Sequence, residues 1–505
     1  MTRWVRACLL VLFLSPSLAL YPQSPRRPER IAGSINPHAA ADARAWWKYF
    51  SLIGGQFNLA DQHRYVPGWT DRSYDLTGES PAPYLSASRD SYTKFAAETE
   101  RMLREDVLDA WFPRTVDKEH GGFYSVFSRE WKPGTSEGKF SVFQGRMTWI
   151  SSQVVVRRPE MKDRFLPIAQ HGLRFLSEVL WDKQYGGFFW GVDDNAAISP
   201  SYGDRKEMYG ESFGLYGAAA AYQAAHDPQA LSLAQKEFRW MEEHAHDKQN
   251  GGYFELLRRN GNPVNADANG MPPHDAAYGG FIPGYKSMNT HIHLLESISQ
   301  LYEIWKDDLV RARLQELLTI VRDKICVEPG VMNLYFTNDW RPIPDHDSYG
   351  HDVETAYLML EAEDVLGVPH DPRTEHMAKM LVDHALAFGW DEKNGGFYRE
   401  GTTFGKPEEK SKDWWVEMEG LNALLLMHET YGGGTDVYFK AFQQQLAFIE
   451  KYQRDSESHG FYGTVDEDGN PVSTDKGQIW KAAYHDGRAL LNVSDRLRKL
   501  AAEAK

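Results

Sequence analysis

The chain has 505 residues, of which 42% are hydrophobic and 25% are charged, a composition typical of globular proteins with a large core. Its 71 acidic residues outnumber the 56 basic ones, which gives a formal net charge of −15. This excess of negative charge argues against attraction to nucleic acid or to an anionic membrane, so neither is an expected partner. The length alone suggests several domains, but one large barrel accommodates such a chain equally well.

The N-terminal segment, MTRWVRACLLVLFLSPSLAL, has the order of a secretory signal peptide. Arg3 and Arg6 form a basic region, an apolar run follows at residues 9–14, and small residues precede a cleavage point after Ala19. The apolar run is too short for a comfortable membrane span. We therefore expect a signal peptide over residues 1–19 and a periplasmic or secreted protein.

Residues 20–87 are rich in Pro, Arg, Tyr and Gly and fall outside the repeat that organises the rest of the chain. We interpret them as an irregular N-terminal extension. Of the two cysteines, Cys8 would leave with the signal peptide and Cys326 would remain alone. The exported protein is therefore expected to have no internal disulfide and to depend on its core for stability.

A glycine-aromatic motif recurs along the chain at intervals of about 65 residues. Its copies are DKEHGGFY ending at Tyr124, WDKQYGGFF ending at Phe189, HDKQNGGYF ending at Phe254, WDEKNGGFY ending at Tyr398 and ESHGFY ending at Tyr462. The interval between the third and fourth of these is about twice as long and contains EPGVMNLYF, around Gly330, as a degenerate copy. The sequence therefore contains six units.

Each unit contains two apolar-periodic segments, such as RFLPIAQHGLRFLSEVLW and GESFGLYGAAAAYQAA, and each segment is long enough for a helix. The motif itself predicts a turn with an aromatic plug rather than a catalytic element. Two helices repeated six times close into a double ring. We therefore predict an all-α fold, an (α/α)6 barrel, over residues 88–505, with a superhelical array of helix pairs as the alternative.

Candidate chemical residues concentrate in five stretches: GRMTWISS, KSMNTHIHLLESISQLYEIW, SYGHDVETAYLMLE, DWWVEMEG and IWKAAYHDGRAL. In the third stretch, a helix places His351 and Glu354 on one face, so the imidazole and the carboxylate can meet. Such a pair is either catalytic or a buried histidine satisfied by its neighbour.

The second stretch separates its two histidines when it is phased as a helix. His291 falls within the apolar stripe and is interpreted as a packed histidine. His293 points to the opposite face, which an inner helix of a double ring presents to the lumen, so His293 is the site candidate. Plain solvent exposure is the alternative for His293.

These stretches resemble, in order and approximate spacing, the acylglucosamine 2-epimerase superfamily, and most of all its cellobiose 2-epimerase branch. The resemblance rests on MNTHIHLLE, SYGHDVE, DWW and YH followed by an arginine, and it covers roughly residues 90–500. It implies an (α/α)6 barrel that inverts C2 of a reducing-end sugar without a metal or another cofactor. A monomer is the expected state, and an oligosaccharide is the expected small-molecule partner.

The resemblance also implies roles for individual residues. Carried over onto this sequence, it gives acid/base histidines, a supporting glutamate, an Asn–His pair, a substrate-binding arginine, two aromatic platforms and a tyrosine: His351 and His485; Glu354; Asn289 and His293; Arg146; Trp415 and Trp480; Tyr209. One departure is that the family's Trp-Trp-Pro-Gln reads Trp-Trp-Val-Glu here, ending at Glu417. A carboxylate in place of an amide changes donors into acceptors, so this departure leaves the exact substrate open.

The function these observations predict is inversion of C2 in the reducing-end sugar of a β-1,4-linked disaccharide of the cellobiose or mannobiose type. The reaction needs ring opening and an enediolate. Two histidines of near-neutral pKa, one on each face, would exchange the C2 proton. Glu354 would fix the tautomer of His351, while Arg146 and the ring N–H of His293 would stabilise the enediolate.

Four alternatives stay open. Aldose–ketose isomerisation of a monosaccharide such as mannose uses the same enediolate. An (α/α)6 glycosidase or lyase would need paired carboxylates, or a Tyr/His/Arg set. The set His293, His351, Glu354 and His485 could instead bind a metal. A non-catalytic glycan-binding protein would keep the tryptophans and tolerate loss of the histidines.

Overall fold

The computed structural model describes residues 84–199, 203–265, 284–343, 345–402, 407–432 and 437–504. The expected signal peptide, and the expected extension up to residue 83, lie outside these ranges. Within them, no helix combines the length and the apolar character needed to cross a membrane.

Twelve helices of the described residues form two concentric rings. The outer ring contains α1 (Arg89–Met102), α3 (Lys162–Phe175), α5 (Pro228–His244), α7 (Asp308–Ile320), α9 (Pro372–Phe388) and α11 (Val437–Phe448). The inner ring contains α2 (Ser141–Arg157), α4 (Met208–Ala225), α6 (Met288–Ile304), α8 (Tyr349–Leu366), α10 (Trp414–Tyr431) and α12 (Tyr484–Glu503).

The inner ring is closed. Each inner helix packs against the next, and α12 returns to α2, while α1 packs against α12 as its outer partner. The predicted (α/α)6 barrel is therefore confirmed, and the superhelical array is excluded. Four outer helices continue into a π-helical turn, at Leu103–Leu108, Leu176–Leu180, Val321–Ile325 and Ile449–Gln453, and short helical turns occur at Asp109–Trp111 and Pro159–Met161.

The sequence explains where the outer helices begin. Asp227, Asp307 and Asp371 cap α5, α7 and α9 by accepting backbone N–H groups of the first turn, and proline follows at the first position of α5 and α9. Inner helices are buried on almost every side, because one side packs on the outer ring and the other meets the lumen. Many polar residues on the inner helices are therefore buried as well.

Short strands join the units: β1 (Lys139–Phe140), β2 (Gly191–Val192), β3 (Lys206–Glu207), β4 (Leu256–Leu257), β5 (Tyr285–Ser287), β6 (Cys326–Val327), β7 (Val331–Met332), β8 (Tyr335–Thr337), β9 (Pro342–Ile343), β10 (Lys412–Asp413), β11 (Thr464–Val465) and β12 (Pro471–Ser473). The antiparallel pairs are β1–β2, β3–β4, β6–β7, β5–β8–β9 and β10–β11–β12. A bridge between Phe127 and Gly477 joins the last unit to the first.

A buried aspartate–lysine pair recurs in five units. The pairs and their Oδ2–Nζ distances are Asp117–Lys139 (2.6 Å), Asp182–Lys206 (3.4 Å), Asp247–Lys286 (2.7 Å), Asp391–Lys412 (2.6 Å) and Asp455–Lys476 (2.9 Å). The aspartate belongs to the glycine-aromatic motif, and its Oδ1 accepts the backbone N–H groups two and three residues further on. In four units the lysine lies two residues before the next inner helix, so the pair ties a turn to the start of that helix. In the last unit, Lys476 lies eight residues before α12.

A second contact anchors the same turns. The fourth residue of an inner helix accepts the backbone N–H of the motif's aromatic residue in four units: Gln144 from Phe123, Glu211 from Phe188, His291 from Tyr253 and Glu417 from Phe397. His291 is thus a packed histidine, as its helical phase predicts. Glu417 is fully buried and also accepts from the Gln445 side chain. The carboxylate at position 417 therefore contacts a turn.

The degenerate fourth unit replaces both members of the ion pair. Val327 occupies the place of the aspartate, in the strand β6 that pairs with β7. Asp347 occupies the place of the lysine, because its bridge to Gly401 matches the pairing of Lys139, Lys206, Lys286 and Lys412 with the following unit. The backbone geometry of the repeat is therefore retained in this unit, although a neutral valine replaces the aspartate and an aspartate replaces the lysine.

We predict that Lys286→Met lowers the free energy of unfolding by about 3–5 kcal/mol, because it leaves the buried carboxylate of Asp247 without its counter-charge. Chemical denaturation followed by circular dichroism measures this change. The matched control is Lys183→Met, at an exposed lysine of the preceding motif, which should change stability by no more than about 0.5 kcal/mol. Equal stabilities of the two variants would contradict a structural role for the pair.

Candidate active site

Six side chains meet at one level of the inner ring. Five of them lie seven residues after the paired lysine, or after Asp347 in the fourth unit, that precedes their helix: Arg146, Phe213, His293, Glu354 and Glu419. The sixth, Arg488, lies seven residues after Lys481, whose ammonium donates to backbone carbonyls. The first five are the sixth residue of their helix, and Arg488 is the fifth residue of α12. Since the inner helices begin at the same point of the repeat, a common register delivers these six side chains to a common site.

Arg488 is the centre of the polar network. One terminal nitrogen donates to Glu296 and to the hydroxyl of Tyr484 (2.6 Å), and the other donates to Glu354 and to Glu419 (2.6 Å). Burial disfavours the charged guanidinium, but the adjacent carboxylates outweigh it, and the pKa of Arg488 lies well above its usual value. A permanent cation therefore fixes three glutamates contributed by three different inner helices.

His485 is held by one of these glutamates. Its Nδ1 lies 2.6 Å from Oε1 of Glu419, whose other oxygen accepts from the hydroxyl of Tyr357 (2.6 Å). A carboxylate can only accept, so Nδ1 carries the proton and Nε2 presents its lone pair. Burial, with the charge of Arg146 next in size, lowers the pKa of His485 well below its usual value.

His351 is anchored differently from the expectation. Its Nδ1 lies 2.7 Å from the hydroxyl of Ser348, whereas Glu354 pairs with Arg488. Glu354 therefore does not fix the tautomer of His351. Burial lowers the pKa of His351 to about 4, and the charge of Glu354, acting through space, opposes part of that effect. The i,i+3 spacing brings the two side chains to one face, but the guanidinium competes more strongly for the carboxylate.

His293 lies in the lumen wall between two aromatic rings. Its ring centre is 5.3 Å from that of Tyr209 and 4.9 Å from that of Phe213, and its Nδ1 lies 3.0 Å from Glu296. Arg488 and His293 hold the pKa of Glu296 below its usual range in spite of burial, so the carboxylate accepts from Nδ1–H. Nε2 of the neutral ring is then an acceptor, and the expected donation from this ring to an enediolate requires a second proton on it.

Arg146 and Tyr209 form the neighbouring wall. One terminal nitrogen of Arg146 donates to the Tyr209 hydroxyl and the other donates to the carbonyl of Trp480, each at 3.0 Å. Among the described residues, Nε of Arg146 and Oδ1 of Asn289 are buried without a hydrogen-bond partner. The wall thus has one N–H donor and one amide-oxygen acceptor that form no hydrogen bond within the described residues and can bind a ligand.

The two predicted platforms lie on different sides of the site. The ring of Trp415 is half-buried and lies 4.7 Å from the ring of His351 and 5.8 Å from that of His485. Trp480 is 36% exposed and packs on Phe140 at 4.8 Å and on Tyr209 at 6.3 Å. Trp415 therefore contacts both candidate acid/base residues, and part of the Trp480 indole is exposed to solvent.

The predicted site residues thus come together, with additions that the motifs alone did not single out: Arg488, Glu296, Glu419, Tyr484 and Ser348. The seven-residue offset from the repeated lysines would have identified Glu419, and the same offset from Lys481 would have identified Arg488. The four residues of the metal alternative do not converge as one ligand sphere. Glu354 and His485 group with Glu419 instead, and Arg488 already supplies positive charge to both carboxylates.

Comparison with known proteins agrees with this architecture. The family model of N-acylglucosamine 2-epimerase (GlcNAc 2-epimerase) matches residues 121–489. A cellobiose 2-epimerase from Bacteroides fragilis is 28% identical over 404 residues, which are 78% of this chain and 97% of that protein. A D-mannose isomerase from Marinomonas mediterranea is 21% identical over 413 residues, which are 78% of this chain and 96% of that protein.

Among solved structures, the cellobiose 2-epimerase from Spirochaeta thermophila matches with a TM-score of 0.72 at 28% identity, covering 81% of this chain and 98% of its own. The family match covers well over half of the chain and includes every predicted site residue. With its closed double ring and its histidine-lined lumen, the chain belongs to the N-acylglucosamine 2-epimerase family and is an isomerase.

Proposed function

We propose that the protein inverts C2 of the reducing-end sugar of a β-1,4-linked disaccharide, of the cellobiose or mannobiose type. The observation that carries this proposal is the pair His351 and His485, whose rings both lie against the indole of Trp415. Both rings are anchored through Nδ1, so Nε2 is the nitrogen that each can offer to a substrate. The similarity to cellobiose 2-epimerases supports the choice of substrate class.

The reaction needs two proton-transfer groups because inversion removes a proton from one face of C2 and returns one to the other. In the open-chain sugar, the C1 carbonyl makes the C2 proton removable, and an enediolate forms. One ring removes the proton and later releases it to water. The charge left on O1 and O2 raises the proton affinity of the second ring, which takes up a proton from water at Nε2 and delivers it to the opposite face of C2. Two histidines from different inner helices suit this division of labour.

The carboxylates behind the histidines support the charged intermediates. When His485 takes up a proton, Glu419 lies 2.6 Å from its Nδ1 and stabilises the imidazolium. Glu354 raises the proton affinity of both rings through space. Arg146 supports the enediolate, since its buried Nε–H has no partner among the described residues and can donate to a developing oxyanion.

Ring opening is assigned to the wall formed by His293, Asn289 and Tyr209. Nε2 of His293 is an acceptor in the neutral ring and can take the hydroxyl proton at C1. The amide oxygen of Asn289 can accept a second sugar hydroxyl. In this assignment, His293 takes part in ring opening only, and His351 and His485 exchange the C2 proton.

A second candidate is aldose–ketose isomerisation, which the similarity to D-mannose isomerases favours. It forms the same enediolate but returns the proton to C1. The two reactions therefore differ in the carbon of the enediolate that receives the proton, which is C2 in the epimerase and C1 in the isomerase. The product identifies which carbon it is.

The deciding experiment is NMR of product mixtures from cellobiose, mannobiose, lactose, glucose and mannose in deuterated water. We expect a C2-epimerised disaccharide with deuterium at C2 of its reducing-end sugar. His351→Asn and His485→Asn should each slow this reaction by about 10²- to 10⁴-fold, which is the range of general acid–base catalysis. Ketose products would select the isomerase, monosaccharides released from a disaccharide would select a glycosidase, and folded histidine variants with unimpaired turnover would refute the assignment of the pair.

The pH dependence tests the electrostatics of the same pair. A base acts in its neutral form, and a lowered pKa keeps it neutral to lower pH. Because burial lowers the pKa of His351 to about 4 and that of His485 below its usual value, kcat/KM should hold down to about pH 5.5 and decline only below about pH 5. An acid limb near pH 6.5, with the fold intact by circular dichroism and activity restored at neutral pH, would contradict this expectation.

The aromatic platforms predict a preference for substrate length. An indole face that stacks on a second sugar ring removes both from water, and each such contact contributes ~1 kcal/mol by analogy with aromatic pairs. We therefore expect cellobiose to be turned over with roughly tenfold higher kcat/KM than glucose, since ~1.4 kcal/mol is one decade. Trp415→Ala or Trp480→Ala should narrow this ratio more than it impairs the glucose reaction. Equal kcat/KM for the two sugars in the unmodified enzyme would leave the platforms without this role.

A further inference from the structure

The second residue of every inner helix lies one turn ahead of the level of Arg488 and its partners. These residues are Val142, Tyr209, Asn289, Gly350, Trp415 and His485. Four of them are predicted site residues. Gly350, on α8, is the one member of this set that has no side chain.

Backbone geometry does not require glycine at this position. Gly350 is absent from the glycines that adopt a positive φ, and it lies within the first turn of α8. At an ordinary helical position, glycine is less favourable than alanine by about 0.5–1 kcal/mol. The reason for a glycine must therefore be what surrounds it.

A methyl group at Gly350 has no room. Its carbon would lie 2.6 Å from Cγ2 of Val416, 2.7 Å from Cη2 of Trp415 and 2.8 Å from Cζ3 of Trp415. All three distances are far shorter than the roughly 3.5–4.0 Å of a carbon–carbon contact. The six-membered ring of the Trp415 indole thus rests directly on the backbone of α8.

Only one of these neighbours can yield. Val416 is fully buried, so its side chain has no free space into which to move. The indole of Trp415 is half-buried, and the rings of His351 and His485 lie within 4.7 Å and 5.8 Å of it. An added methyl group would therefore press the indole away from α8 and into the space that it shares with the two histidines.

We propose that Gly350 is a specificity-determining residue, because it lets the Trp415 indole lie against α8 and so leaves room over the indole for the second sugar ring of a disaccharide. This inference rests on the proposed function and deepens it. A monosaccharide needs the histidines but not the space over the indole, so its turnover depends less on the position of Trp415.

The test is Gly350→Ala, measured as the ratio of kcat/KM for cellobiose to kcat/KM for glucose. We expect the ratio to fall about tenfold, which is the scale of one misplaced methyl group in a binding pocket. In a Trp415→Ala background, which removes both clashing indole carbons and leaves only the contact with Val416, Gly350→Ala should leave the ratio unchanged. An unchanged ratio in the single variant, or an equal fall in both backgrounds, would overturn the proposal.

Two further measurements separate this proposal from its premise. The matched control is Gly172→Ala on the outer helix α3, where the added carbon would lie 2.2 Å from Oγ1 of Thr148 and where the ratio should stay unchanged. A crystal structure of Gly350→Ala reports the indole position without any activity, and an unmoved Trp415 would refute the proposal. If the unmodified enzyme acts on neither sugar, the proposed function fails, and the indole position still decides whether Gly350 sets it.

Discussion

The buried lysine that precedes an inner helix, with its aspartate in the preceding turn, is the interaction on which the geometry of the barrel depends. Removing an ammonium and a carboxylate from water is costly, so the pair is favourable only when the two groups meet at hydrogen-bond distance. In four units the pair therefore fixes the start of an inner helix relative to the turn before it. Seven residues after these lysines, and seven after Asp347 and Lys481 in the other two units, the chain reaches the lumen, and side chains from six helices meet at one level.

The common register of the inner helices sets the geometry of the site and brings its opposite charges together. Glu296, Glu354 and Glu419 would repel one another if they were left unpaired in a dry interior. Arg488 bonds to all three, and two of them stand close to the histidine Nδ1 atoms of His293 and His485. The guanidinium thus connects the carboxylates behind two candidate site histidines into one hydrogen-bond network. A change in the charge of one histidine therefore alters the electrostatic environment of the other.

Much of this could be predicted from the sequence, because the fold is a repeat. The recurring glycine-aromatic motif gives the number of units, and six helix pairs close a ring. Helical phase separates the packed His291 from the lumen-facing His293. The partner of His351 could not be obtained in this way, because helical spacing shows which side chains can meet but not which of two partners wins. Glu354 is one turn from His351, yet it binds an arginine that is 134 positions away in the sequence.

The candidate site is complete only when the ring is closed, because the last helix contributes to both. The outer partner of α12 is α1, and the last unit is bridged to the first through Phe127 and Gly477. The helix that joins the two ends of the described chain also carries His485 and Arg488. A ribosome-bound or partly threaded chain therefore lacks one of the two histidines and the central cation until its final helix is available. A chain that loses its last helix therefore loses the contacts that close the ring together with two residues of the candidate site.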